Sequence, residues 1–248
     1  MKWILFPIRQ IWKAYCALVF AFAFFLLYPA FYFSLKKESR YPIAFKLKKA
    51  IALFSVYCSG IIISTKRESS LNENQSYVFC CNHTSYLDIV LTYCIIKPYF
   101  VFMGKKELLN IPLFGNFFKD MDIAVDRESK IGSHKAFLRA GKDIDKGHSV
   151  VMFPEGTIAP DAPKMRNFKN GPFKLAIEKQ IPIVPITFIS NYKILPAKNN
   201  FYNYGGPGLA KIVIHEAITT AGMTENDLVS LRSNVFSIIN KTLINNES

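Results

Sequence analysis

Apolar residues fall into two textures along this chain. Residues 14–35 form one continuous apolar stretch of twenty-two positions without a charge. From about Ser69 onward, short apolar runs alternate with helical patterns. Runs at 77–81, 99–104, 123–126, 150–153, 183–189 and 211–215 predict strands. Spacing near 3.6 predicts helices at 85–96, 106–118, 133–146, 171–180 and 225–244. Strand–helix alternation with short connections predicts an α/β fold, a mixed sheet flanked by helices. No repeat or low-complexity linker interrupts it. The change of texture divides the chain into a hydrophobic, basic, helical element at 1–67 and an α/β domain at 68–248.

The first stretch exceeds the roughly 20 residues needed to cross a bilayer as a helix. It is too long and too aromatic for a signal peptide and ends in no small-residue cleavage site. Lys13 precedes it, Lys36 and Lys37 follow it, and Pro29 interrupts it. A second apolar stretch, 51–64, follows Lys46, Lys48 and Lys49. Two apolar helices with basic ends on one side fit a membrane element in either of two forms. One is a hairpin held in a single leaflet, the other a full span.

Charge sharpens this reading. The 248 residues carry a net +13, and residues 1–67 hold eleven Lys and Arg against the single acidic residue Glu38. The cations therefore crowd beside the apolar helices, which fits anionic membrane lipids as partners. A nucleic-acid partner is not expected, because no aromatic-interleaved basic strand face is present. The five cysteines (Cys16, Cys58, Cys80, Cys81, Cys94) lie in apolar runs without metal-ligand spacing, as in a reduced compartment with no disulfide framework.

The candidate chemistry gathers at residues 80–88. The run ending in Cys80 and Cys81 breaks at Asn82, and Thr84 or Ser85 can cap the following helix. His83 then lies at a strand-to-helix corner, with Asp88 in the first helical turn. On one regular helix these side chains would diverge by about 140°. They meet only if His83 precedes the helix and the chain bends back. A carboxylate bonded to one imidazole nitrogen fixes the tautomer and leaves the other free as a general base. The plain alternative is that Asp88 only completes a capping box with Ser85. Both thiols read as inert core groups.

A second unusual string, Phe153-Pro154-Glu155-Gly156-Thr157, ends an apolar strand at the sheet's carboxyl edge, where ligands bind in open α/β sheets. Lys105 and Arg127 follow strands at loop positions, and Lys164, Arg166 and Lys169 precede the helix at 171–180. Cations so placed can meet a phosphate or carboxylate. His134, His148 and His215 read as surface or structural. A serine-hydrolase reading fails for want of a Gly-x-Ser-x-Gly elbow.

These blocks carry a resemblance. Asn82 through Asp88, Arg127 after its strand, Phe153 through Thr157, and Val184-Pro185-Ile186 together resemble the glycerolipid acyltransferase superfamily, closest to its 1-acylglycerol-3-phosphate acyltransferases. The resemblance spans about residues 69–190. It implies that His83 is the general base, oriented by Asp88, for direct acyl transfer from a thioester to a hydroxyl. It implies acyl-CoA or acyl carrier protein as donor, a lysolipid as acceptor, and no metal or other cofactor. Lys105, Arg127, Glu155, Gly156, Thr157, Arg166 and Lys169 would form the substrate site. It also implies a two-helix element seating the enzyme on the membrane, with the active site toward the cytoplasm. The family places Arg after the Gly-Thr pair, whereas this chain has Ile158. Arg166 or Lys169 could replace that cation. Otherwise the acceptor would be a monoacylated amino-acid lipid, and a non-catalytic lipid-binding role is the third reading.

Overall fold

The structure, a computed structural model, describes residues 2–197 and 204–246, with side chains from residue 6. Helix α1 (Lys2–Leu35) runs through Pro7 and Pro29. A 3-10 turn at Glu38–Arg40 leads into α2 (Tyr41–Cys58). The remaining elements in order are β1 (Ile61–Arg67), β2 (Val78–Cys81), α3 (Leu87–Ile95), β3 (Phe100–Lys105), α4 (Gly115–Asp120), β4 (Ile123–Val125), α5 (Lys130–Asp145), β5 (Ser149–Met152), α6 (Gly171–Lys179), β6 (Ile183–Phe188), α7 (Asn191–Ile194), β7 (Gly208–Ile214) and α8 (Leu228–Ile244).

The strands form one seven-stranded sheet in the order β1-β7-β6-β2-β5-β3-β4. Neighbours are parallel except β6 and β7, so β1 and β7 run against the rest. The sheet is mixed, as expected. Its central strands are buried on both faces, which is why they read as unbroken apolar runs. Successive side chains still alternate. Phe79 and Cys81 face a core with Phe31, Phe45 and Leu91 from α1, α2 and α3. Val78 and Cys80 face a second core with Ala140, Phe173 and Val235 from α5, α6 and α8. The helices thus cover the sheet in two layers.

Four expectations are corrected. The apolar stretch 51–64 is not one helix, because α2 ends at Cys58 and Ile61 begins a strand. Gly60 makes the break with φ +70, a conformation that costs a residue with a Cβ. The following Ile-Ile-Ile-Ser-Thr is rich in β-branched residues, which favour strands. β1 pairs with β7 along its whole length, so the sheet begins before residue 68. Lys46, Lys48 and Lys49 lie inside α2 instead of flanking a helix. The expected helix 106–118 splits into a 3-10 turn, Lys106–Asn110, and the short α4. Pro112 and Leu113, at φ +64, cannot continue a right-handed helix.

α1 packs on the domain over most of its length. Trp12 Nε1 donates to Ser59 O at 3.1 Å, and Tyr15 Oη donates to Cys58 O at 3.1 Å. Further along, Phe31 meets Phe117 edge to face at 4.9 Å. The other side of α1 leaves Ile8, Ile11, Leu18, Phe22, Phe25, Leu26 and Phe33 exposed, each by more than half. Its segment Phe6–Leu35, in which an 18-residue window reaches a mean hydropathy of 2.1, is long and apolar enough to cross a membrane.

Candidate active site

The site forms where the parallel strands β2, β5 and β6 end. After β2, the Asn82 side chain continues the sheet pairing: its Oδ1 accepts from Phe188 N at 2.7 Å and its Nδ2 donates to Phe188 O at 3.0 Å. This pins the chain to the end of β6, and the next residue, His83, turns out of the strand. His83 Nδ1 lies 3.0 Å from Asp88 Oδ2. The bend that the spacing demanded is present, with His83 ahead of α3 and Asp88 in its first turn.

Asp88 is fully buried and surrounded by donors. Its Oδ2 also accepts from Thr84 N at 2.6 Å and Ser85 N at 2.8 Å, and its Oδ1 accepts from Asn191 Nδ2 at 2.7 Å. Ser85 Oγ accepts from Leu87 N at 2.9 Å. Half of a capping box therefore exists beside the imidazole contact: Asp88 accepts from Ser85 N, whereas Asp88 N donates to the Ser85 carbonyl and not to its hydroxyl. Asp88 accepts a hydrogen bond from Nδ1–H, which leaves Nε2 as the basic nitrogen. Nε2 makes no hydrogen bond among the described residues. The ring stacks on Phe153 at 4.2 Å between centroids.

Glu155 departs from its expected role. Its Oε1 accepts from His83 N and its Oε2 from Arg166 N, both at 2.8 Å. With both oxygens committed to backbone, it does not line the cavity beside His83. It braces the loop after β2 to the loop after β5 instead. Burial pushes its carboxyl up to about 7, against the two N–H groups that favour the anion. Arg166 contributes its backbone to this brace, and its side chain is exposed. Lys169 also stays out of the cavity lining. A Cβ on Gly156 would lie 3.2 Å from Lys169 Nζ, so this lysine covers the back of the turn. Gly156, at φ +75, leaves its carbonyl to Arg127, whose Nη1 donates to it.

Of the residues expected to hold substrate, Lys105, Arg127, Gly156 and Thr157 meet His83 around one cavity of about 820 Å³. Ile158 lines it as well. The cavity continues from His83 between the sheet and the N-terminal helices, walled by Phe24, Phe31, Tyr93, Phe102 and Phe117. Its polar features away from the mouth are Lys48 and Asp122, which form a buried ion pair. Asp122 Oδ1 accepts from Phe102 N at 3.0 Å, and Lys48 Nζ stands 4.6 Å from the Phe117 ring centre.

Sequence reasoning missed Asn191, Phe153 as a stacking partner, and the Lys48–Asp122 pair. Asn191 is 103 positions from Asp88, a separation at which spacing carries no signal. Its one mark is being polar just beyond the apolar β6. Cys80 and Cys81 are fully buried, and burial raises both thiols well above the usual range, consistent with inert core groups. His215 is buried, with Nε2 2.7 Å from Thr187 Oγ1 and Nδ1 3.0 Å from Glu68 Oε2, and ties β7 to its neighbours.

A strand-corner histidine locked to an aspartate thus opens on a long apolar cavity. The chain belongs to the acyltransferase family, whose sequence profile matches residues 62–189. It is 28% identical over 197 residues to the 1-acyl-sn-glycerol-3-phosphate acyltransferase alpha of Mus musculus, covering 77% of this chain and 66% of that one. A 1-acyl-sn-glycerol-3-phosphate acyltransferase of Chlamydomonas reinhardtii is 29% identical over 153 residues, covering 61% of this chain and 45% of that one. The match therefore spans only about half the length of some curated relatives. The crystal structure of the 1-acyl-sn-glycerophosphate acyltransferase PlsC of Thermotoga maritima shares the fold, with a TM-score of 0.75 at 20% identity. That alignment covers 99% of this chain and 97% of the other.

Proposed function

We propose that this chain is a membrane-seated acyltransferase that moves a fatty acyl group from an acyl thioester to the hydroxyl of 1-acylglycerol 3-phosphate, giving phosphatidate. The observation that carries the reading is His83. Its Nδ1 is bound to a buried carboxylate and its ring borders an apolar cavity with room for an acyl chain. The volume lies within the roughly 300–1,000 Å³ usual for small-molecule sites.

In this mechanism Nε2 takes the proton of the acceptor hydroxyl, whose oxygen attacks the thioester carbonyl directly. The tetrahedral intermediate collapses with loss of the thiolate of coenzyme A or of acyl carrier protein, and the imidazolium returns its proton to the sulfur. Asp88 keeps the tautomer and balances the imidazolium charge. Lys105 and Arg127, both at the cavity, supply cations for the acceptor phosphate. The ion pair of Lys48 and Asp122 interrupts the apolar lining and bounds the space for the acyl chain.

The packing of α1 supports a hairpin in one leaflet over a full span. Contacts from Trp12 to Phe31 tie about 30 Å of this helix to the domain. A helix so tied fits a seat along the bilayer surface better than a crossing away from the sheet. Arg9 and Lys13 near one end and Lys36 and Lys37 at the other support a reading with both ends at the cytoplasmic surface. Phe24 and Phe25 line the cavity on α1, and Phe25 is also exposed. A lysolipid can therefore enter from the bilayer side.

The test is acyl transfer from labelled acyl-CoA and acyl carrier protein by the detergent-purified chain. Lysophosphatidate and a monoacylated amino acid are offered side by side, with His83→Ala as control. Diacyl product from lysophosphatidate, absent with His83→Ala, is the expected result. Product only from the amino-acid lipid would overturn the acceptor and point to Ile158. Equal product from His83→Ala would overturn the mechanism.

A further inference from the structure

The direction of the His83 ring depends on Asp88, and the carboxylate of Asp88 receives its donors unequally. Oδ2 accepts from Thr84 N at 2.6 Å, Ser85 N at 2.8 Å and His83 Nδ1 at 3.0 Å. A carboxylate offers about four lone-pair sites, two on each oxygen. Oδ2 is therefore crowded, and the imidazole is the most distant of its three donors. Among the described residues Oδ1 has one close donor, Asn191 Nδ2 at 2.7 Å, with Thr84 Oγ1 farther off at 3.5 Å. Without Asn191 the carboxylate is free to turn and share its backbone donors between both oxygens. The bond to Nδ1 would turn with it.

Asn191 is held in place from both sides. It opens α7, and the residue before it, Ser190, fastens the chain to β7: its Oγ donates to Leu209 O at 2.6 Å and accepts from Lys211 N at 2.9 Å. Beyond α7, the Leu195 carbonyl accepts from Ser85 Oγ, in the corner that carries His83. Asn191 lies between these two fastenings. Its side chain is fully buried, and its Oδ1 has no hydrogen-bond partner among the described residues. An unsatisfied buried acceptor costs more than an apolar atom in its place, so this amide is a burden on folding. What the position supplies in return is the donor toward Asp88. The amide cannot be reversed, because a carboxylate oxygen only accepts.

We propose that Asn191 is a positioning residue of the acyl-transfer site: its amide N–H on Oδ1 fixes the rotation of the Asp88 carboxylate, and through Asp88 the direction and basicity of His83 Nε2. This role rests on His83 acting as the general base proposed above. Asn191 does not line the cavity and acts through Asp88. The sign of its effect is definite. A carboxylate that loses a donor keeps more of its charge for the imidazolium, so His83 holds its proton to higher pH. Activity that needs neutral His83 then rises later along the pH axis. The other titratable groups about the pair are Glu155 behind the His83 backbone, Cys80 and Cys81 on β2, Tyr86 before α3, Tyr192 and Lys193 on α7, and Lys105 and Arg127 across the cavity. All remain in both Asn191 variants, so they enter each profile alike.

The test reads His83 itself as well as turnover. Histidine-selective nitrogen NMR of the detergent-solubilised full chain follows the tautomer and titration of His83 without substrate, with His83→Ala to assign its signal among the four histidines. In Asn191→Leu, which removes the donor, the His83 midpoint should move up and the Nδ1–H tautomer should be less fully populated. kcat for acyl transfer should fall about 10–100-fold with KM for the acyl donor within about twofold of native, and the acid limb of the pH profile should move up as well. On an Asp88→Ala background the same substitution should cost less than about twofold more, since nothing remains for the amide to act through. Asn191→Asp keeps the shape: its protonated carboxyl donates in place of the amide, and the neighbouring carboxylate holds that proton above the usual range. Its activity relative to the native chain should be near one at low pH and fall as pH rises, which a loss of packing would not produce. Lys193→Ala, on the exposed side of α7, should match the native chain throughout. An unmoved His83 titration in folded Asn191→Leu, with kcat within about threefold of native, would overturn the proposal. So would an equal loss with and without Asp88, or a ratio for Asn191→Asp that is flat across pH. A native chain that transfers acyl groups to neither acceptor, with the His83 shift intact, would overturn the proposed function and leave Asn191 as the residue that orients the histidine.

Discussion

Replacing Glu155 with Gln tests whether the buried carboxyl is a brace under electrostatic strain. The substitution keeps size and leaves one acceptor oxygen. Its NH₂ group must then face either His83 N–H or Arg166 N–H, since both oxygens now accept from backbone at 2.8 Å. One buried backbone donor is left unsatisfied, at a cost of about 1–3 kcal/mol. Against that stands the titration of the native residue. Its carboxyl is raised to about 7 by burial, whereas an unfolded Glu titrates near 4.3–4.5. A folded-state value above the unfolded one means the native state binds the extra proton between those limits. This group therefore stabilises the fold most at low pH, and that contribution is lost as pH rises through about 7. From pH 5 to pH 8 the loss is about 2.5 kcal/mol at 1.36 kcal/mol per pH unit. Gln does not titrate and loses nothing.

The expected signature is a difference of differences. At pH 5, Glu155→Gln melts well below the native chain. At pH 8 the gap narrows or reverses, by roughly 5–10 °C for a chain of this size. Every other titrating group is common to both proteins and cancels. Scanning fluorimetry of the two detergent-solubilised proteins measures it directly. A melting gap that is the same at pH 5 and pH 8 would refute the raised carboxyl. A variant of native stability at both pH values, with full activity, would refute the brace itself.

Two further substitutions probe other parts of the site. Asp88→Asn removes the charge that fixes the His83 tautomer, and should lower kcat by about 10²-fold or more while KM for the acyl donor stays nearly constant; steady-state kinetics decides it, and a loss confined to KM would contradict the assignment. Lys48→Met leaves Asp122 as an unpaired buried carboxylate and should destabilise the chain by about 3–5 kcal/mol. Adding Asp122→Asn, which keeps the Phe102 N–H acceptor, should restore most of that stability. In a competition assay the double variant should accept longer acyl chains than the native protein, and an unchanged chain-length profile would separate this pair from substrate.

What the sequence made legible is what local chemistry determines. A polar residue ending an apolar run marked the corner at His83, and five-residue spacing required the bend that brings Asp88 back. Pro-Glu-Gly-Thr after β5 marked the carboxyl edge of the sheet. What stayed hidden depends on partners remote in sequence. Ile61–Ser64 joined an apolar stretch and passed for helix, because only pairing with β7 makes it a strand. Glu155 looked like a ligand group, because nothing local reveals that two backbone N–H groups from different loops converge on it. Lys48 looked like part of a basic flank, because its counterion, Asp122, is 74 positions away.

His83 is held at two independent points, and this explains why the site needs so many buried polar residues. Its backbone is fixed by Glu155 from the loop after β5, and its ring by Asp88 from α3. Asp88 is in turn held by Asn191, beyond β6, while Asn82 ties the preceding residue to the end of β6. Three adjacent strands thus converge on one imidazole. Under the proposed mechanism, a base that takes a proton from a hydroxyl and returns it to a thiol gains from such rigidity, because misplacement by even an ångström can cost about 10²-fold in rate. The two restraints differ in kind, and their loss should differ in kind as well. Freeing the backbone at Glu155 should alter stability and its pH dependence together with rate. Removing the charge at Asp88 should act on rate through the tautomer of His83, a distinction that the paired melting and kinetic measurements read directly.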